Sequence, residues 1–154
     1  MSHTAKTPLD TLTELAREAR DKAAIELGRD QRSEQQVAAQ VEALAQYRDE
    51  YARRLQEAMR DGMTTTRLYN YQQFMISLDD AWCRAQRVLD EQRGRVQASR
   101  EQWQQQQRQL SSYDTLAQRR ANELSIQQER RERRQHDEIA MQTVLRARGA
   151  HSEG

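Results

Sequence analysis

The side chains with the widest chemical repertoire in this chain are three histidines, His3, His136 and His151, and one cysteine, Cys83. Their spacing denies them a shared site. His136-Asp137-Glu138 is a contiguous run, so its side chains fan around a helix and do not meet on one face as ligands four apart would. Cys83 follows Trp82 with no histidine nearby to draw off its proton, which marks a structural thiol and not a nucleophile. No glycine-rich phosphate loop is present. The expectation is a protein with no enzymatic activity, cofactor or metal. What remains is two aromatic-bearing segments, Tyr47-Arg48-Asp49-Glu50-Tyr51 and Asn70-Tyr71-Gln72-Gln73-Phe74, flanking the turn signal Asp61-Gly62-Met63-Thr64-Thr65-Thr66. On an otherwise polar chain these are where a partner finds something specific.

The elements that position those segments follow from composition. The chain has 154 residues, 36% of them hydrophobic and 5% aromatic, with a mean hydropathy of −1.14. That is one domain at most, spanning 1–154, and too little apolar matter for a compact core. Charged residues at 32%, abundant Gln and Ala and a single Pro suit long helices whose apolar positions form a narrow seam. Disorder is the competing reading, and the periodicity of the apolar residues argues against it. A net charge of +1 gives no global basic field, so nucleic acid is not an expected partner. One cysteine rules out an intrachain disulfide framework and suits a reducing compartment. Met1-Ser2-His3-Thr4-Ala5-Lys6 lacks the apolar run of a signal peptide, and no stretch approaches a membrane span, so a cytoplasmic location is expected.

Pro8 is placed to open a helix, with Thr7 as N-cap. The boundaries expected are helix 1 over about 8–60, a turn over about 61–66, helix 2 over about 67–146 and a frayed tail over 147–154. The second half of helix 1 carries a seam at Val37, Val41, Leu44, Arg48, Tyr51, Leu55 and Ala58, in alternating steps of four and three. Its first half, with Leu12, Leu15, Ala19, Ala23 and Leu27, does not keep that phase, which predicts a bend or phase shift near Gly28. A Thr of the turn cluster caps helix 2. Its seam runs Tyr71, Met75, Leu78, Trp82, Ala85, Leu89, Gln92, Val96, Ser99, Trp103, Gln106, Leu110, Tyr113 and Ala117. Gln92, Ser99 and Gln106 are polar occupants, where packing is expected to be loose.

Two seams joined by a short turn make an all-α, two-helix antiparallel coiled-coil hairpin with a longer second helix. A turn centred near Thr64 makes facing residue numbers sum to about 128. Leu44 then faces the Ala85 region and Leu12 the Ala117 region, and the chain beyond about Arg120 overhangs. At 1.5 Å per residue the hairpin would be on the order of 80 Å long and the second helix about 100 Å or more. With Val41 at heptad position a, Leu44 and Tyr51 are d and Gln40 and Tyr47 are g. On the second arm Phe74 and Ala81 are g too. In an antiparallel pair the g positions share one flank, so Gln40, Tyr47, Phe74 and Ala81 should line it. Either the two rings fold over the seam as additional core, or they form a partner-binding surface. Aromatics on an otherwise polar flank favour the second. The run Glu129-Arg130-Arg131-Glu132-Arg133-Arg134 reads as a solvated helical face, with an anionic partner as the alternative.

Here the chain resembles the flagellar export protein FliJ family. The resemblance rests on Tyr47-Arg48-Asp49-Glu50-Tyr51, Leu55, Gly62, and above all Asn70-Tyr71-Gln72-Gln73-Phe74 with Leu78 following. It is specific from about Gln40 to Ala85, and elsewhere is one of general helical character. It implies a coiled coil similar to the γ stalk of rotary ATP synthases, whose paired ends enter the export ATPase hexamer. It also implies contacts with the export-gate protein FlhA and with export chaperones, and peripheral attachment at the inner membrane face through the gate. Carried over by position, the gate-binding cluster falls on Gln40, Leu44, Tyr47, Tyr51, Phe74, Leu78 and Ala81. The chain departs from the family one turn further on, where Ala85 replaces a larger polar residue. Arg130, Arg131, Arg133 and Arg134 fall at the ATPase-facing end. Alternatives are the equivalent stalk of a virulence injectisome and a generic coiled-coil scaffold or homodimer.

Overall fold

The structure is a computed structural model that describes residues 5–152. His3 and the last two residues of the expected tail lie outside the described residues. Two helices follow one another, α1 over Pro8–Asp61 and α2 over Thr65–His151, and no strand occurs among the described residues. The fold is all-α, two long helices packed against each other as a hairpin.

Each helix end has a local cause. Thr7 Oγ1 accepts the Asp10 N–H at 3.2 Å while the Asp10 carboxylate accepts the Thr7 N–H at 3.1 Å, a reciprocal capping box with Pro8 at the first helical position. Asp61 ends α1 because Gly62 takes a φ of 92°, a left-handed conformation that a side chain resists. Thr64 then caps α2, its Oγ1 accepting the Arg67 N–H at 3.3 Å. Because the cap is the first threonine of the cluster, α2 starts at Thr65 and not near Arg67. At its far end α2 continues to His151, past the expected boundary at 146. Nothing after Gln142 breaks a helix outright, and Arg148 and His151 in the last turn complement the helix dipole.

The contacts divide into two units, Ala16–Arg108 and Met1–Leu15 with Gln109–Gly154. Within the first, every position of the expected α2 seam from Tyr71 to Gln106 is buried or half-buried, and the flanking Leu68, Ala81, Gln86 and Gln107 are half-buried too. Among those of α1, Ala16, Arg20, Ala23, Leu27, Asp30, Glu34, Val37, Val41, Leu44, Arg48, Tyr51, Leu55 and Ala58 follow one another in unbroken steps of four and three, with half-buried neighbours such as Ala19, Ala38 and Ala45 beside them. This corrects the expected phase shift at Gly28. The heptad continues through it, but onto small and polar residues, so apolar type alone misplaces the face. The polar layers are satisfied across the pair: Ser99 Oγ donates to the Asp30 carboxylate, and Arg93 Nε meets Glu34 Oε1 at 3.8 Å. Nearer the turn, Arg48 Nη1 meets Asp79 Oδ1 at 3.6 Å. These three pairs lie within one residue of the register that the turn position predicts and place Leu44 opposite the stretch from Cys83 to Ala85. One layer is defective. Gln92 Oε1 is buried without a hydrogen-bond partner.

In the other unit, Leu9 and Thr13 of α1 and Leu110, Tyr113 and Ala117 of α2 are buried or half-buried. Leu12 and Leu15 are exposed, so Leu12 is not the residue that covers Ala117. The seam phase passes through Leu9 and Thr13 and leaves both leucines on the outer face. Every described residue from 118 to 152 is exposed.

Candidate partner-binding surfaces

The g flank of the Ala16–Arg108 unit is built from the seam outward. Arg48 occupies an a position, yet its guanidinium leaves the core: it lies 4.7 Å from the Trp82 ring centroid and reaches Asp79 on the e side. Tyr51, at d, is half-buried and carries the Phe74 ring at 4.5 Å between centroids, tilted by 45°. Arg54 lies 5.4 Å from the same Tyr51 ring and pairs with Glu50 at 2.9 Å. Phe74 therefore both leans over the seam and remains exposed, while Tyr47 is exposed without a ring partner among the described residues.

Of the seven residues of the expected gate cluster, Gln40, Tyr47 and Phe74 are at the surface, and Leu44, Tyr51, Leu78 and Ala81 are half-buried. Leu44, Tyr51 and Leu78 are first of all hairpin residues, at d positions of their helices. Ala85, where the chain departs from the family pattern, is a half-buried seam position and offers no edge to the cluster. Arg130, Arg131, Arg133 and Arg134 are all exposed on α2 in the other unit.

The remaining candidates stay apart. His136 and His151 are exposed, Cys83 is an exposed free thiol, and no group of three or more His, Cys, Asp or Glu side chains among the described residues is arranged to hold a metal. No described helix is long and apolar enough to cross a membrane. Sequence reasoning missed the Asp30–Ser99 and Glu34–Arg93 layers. Extending the four-three register upstream from Val37, without regard to polarity, finds them. It also passed over Tyr69 and Ile76, exposed seven residues apart on the outer face of α2; that spacing was the available signal.

The fold and surface define a class first: an all-α helical hairpin with a narrow apolar seam interrupted by polar layers, and with exposed aromatic residues on one flank. Residues 5–149 match the family described as Flagellar FliJ protein. The flagellar FliJ protein of Escherichia coli (strain K12) is 30% identical over 138 residues, covering 90% of this chain and 94% of the relative. The flagellar FliJ protein of Salmonella typhi matches at the same identity and coverage. This chain belongs to the FliJ family, and so is a component of flagellar protein export.

Proposed function

We propose that this chain is a non-enzymatic stalk of the flagellar type III export apparatus, binding the export ATPase hexamer and coupling it to the membrane export gate and to export chaperones. The gate protein FlhA would dock on the flank bearing Gln40, Leu44, Tyr47, Tyr51, Phe74, Leu78 and Ala81. The ATPase would take the exposed end of α2 around Arg130, Arg131, Arg133 and Arg134. Contact with the gate would hold the protein peripherally at the inner membrane face. The observation that carries this reading is the exposure of Tyr47 and Phe74 beside a seam that is otherwise closed. Aromatic residues at a surface, anchored by a rigid element, are what protein interfaces use as hot spots. The exposed stretch from 118 to 152 supports the ATPase contact, because a lone helix presents its whole circumference to a partner.

Hydrogen exchange on the full chain tests the ATPase contact. Amides beyond residue 120 should exchange fast in the isolated protein and slow on addition of the ATPase hexamer. Strong protection in the isolated chain, or no change with the ATPase, would count against it.

A further inference from the structure

The four-three seam of α2 does not stop where its intramolecular partner does. It continues at Leu124, Gln127, Arg131, Arg134, Glu138, Met141 and Leu145, with Leu124 65%, Met141 68% and Leu145 60% exposed. Such a stripe, apolar at both ends and charged in the middle, is an unfinished coiled-coil face. Its charge order specifies what completes it. Arg130 and Arg131 lead, and Asp137 and Glu138 follow seven residues later, none of the four with an ion-pair partner among the described residues.

The hairpin itself shows how this chain layers an antiparallel pair. Arg48 stacks on Trp82, both at a, and Ser99 bonds Asp30, both at d. The same rule about a two-fold axis at Arg134 brings Leu124 of one copy to Leu145 of the other. It also brings Gln127 to Met141, Arg131 to Glu138, and Arg130 to Asp137 on the g flank. Symmetry makes each of these contacts twice. A parallel pair would instead stack Arg131 on Arg131 and Glu138 on Glu138, which like-charge repulsion disfavours.

We propose that residues 124–145 of α2 form an antiparallel homodimer interface with a second copy of this chain. Arg134 faces itself across the axis, so the dimer is weak and salt-sensitive, a reversible pairing and not an obligate one. The proposal does not rest on the ATPase reading. Both use Arg130 and Arg131, however, so pairing and ATPase contact would exclude each other.

Sedimentation of the full chain, without ATPase, over a concentration series at low salt is the test. The expected result is a monomer–dimer equilibrium that Glu138→Arg weakens by at least about tenfold and that Arg131→Glu with Glu138→Arg restores to within about threefold. In a Cys83→Ser background, Arg134→Cys should form an intermolecular disulfide under mild oxidation, because it meets its own copy, while Leu124→Cys should not. All these sites are exposed on a helix without a partner, so the variants keep their helicity. A monomer at every concentration overturns the proposal. So does a double variant no better than Glu138→Arg, or Leu124→Cys crosslinking as readily as Arg134→Cys.

Discussion

Truncating Tyr47, Phe74 and Leu78 to alanine, one at a time, measures which of these side chains belong to the hairpin and which to a partner. A fully buried Phe→Ala change costs about 3–5 kcal/mol and a buried Leu→Ala about 2–5 kcal/mol. Phe74 is 42% exposed and its ring contacts Tyr51, so scaling by the covered share gives roughly 2 kcal/mol. Tyr47 is 55% exposed with no ring partner among the described residues, and the same scaling gives roughly 1.5–2 kcal/mol before the helix propensity gained with alanine is counted. Leu78, half-buried at d, should cost roughly 2–3 kcal/mol. Tyr47 is therefore the sharper probe, since Phe74 serves both structure and surface. The assay pairs urea denaturation followed by helical circular dichroism with titration against the cytoplasmic part of the export gate. Tyr47→Ala should lower its denaturation midpoint less than Leu78→Ala does, while gate affinity falls by at least about tenfold. Should it unfold as early as Leu78→Ala, Tyr47 is core and the flank reading fails. Undiminished gate binding by both Tyr47→Ala and Phe74→Ala would defeat it even with stability intact.

Three further outcomes follow from the geometry. Gln92→Leu removes a buried, unpartnered amide oxygen and should stabilise the hairpin by about 1–2 kcal/mol in the same denaturation assay; a loss of stability would mean that the amide is satisfied in solution. Gly62→Ala forces a side chain to a φ of 92° and should cost about 1–2 kcal/mol, without changing gate affinity. The carboxyl of Asp10 is held below its ordinary range by the hydrogen bond from the Thr7 backbone, reinforced by the Thr7 side chain. A lowered folded-state value stabilises the helix start above the unfolded pKa, and that contribution disappears as pH falls through the folded one. Protection of the first-turn amides should thus be lost on acidification in the parent and show no such acid step in Asp10→Asn; an Asp10 carboxyl titrating at or above the ordinary value would refute the capping box.

The seam of α2 was fully legible because Leu, Met, Val, Trp and Tyr mark most of its positions, and three glutamine or serine occupants did not hide the register. The first half of α1 was not, for a physical reason. Ala16 and Ala23 are buried there beside Thr13, Arg20, Asp30 and Glu34, while Leu12, Leu15 and Ile25 face outward. A reader who follows hydrophobicity chooses the wrong face when the partner helix supplies ion pairs instead of apolar surface. The candidate flank was legible in part. Heptad position put Tyr47 and Phe74 on one side of the pair, but the Phe74–Tyr51 contact depends on rotamers that periodicity does not encode.

The two flanks of the hairpin are unlike, and the difference bears on function. The e flank is bridged by charge: Asp79 and Arg93 reach across to Arg48 and Glu34, and Ala38, Ala45 and Ala52 are small enough to be half-covered. The g flank has room for the same solution but holds Tyr47, Phe74 and Val88, all exposed. A hairpin built only for its own stability gains nothing by placing rings where water reaches them, since uncovered apolar surface returns none of the burial energy. Charges or alanines, as on the e side, would serve it as well. The aromatic residues become favourable once a second surface covers them, and the covering surface then meets rings already fixed on a helix, one of them braced by Tyr51. The exposed arginines and leucines beyond residue 118 obey the same logic: the isolated chain derives no packing from them, and either proposed partner, the export ATPase or a second copy, would supply the other half of the face.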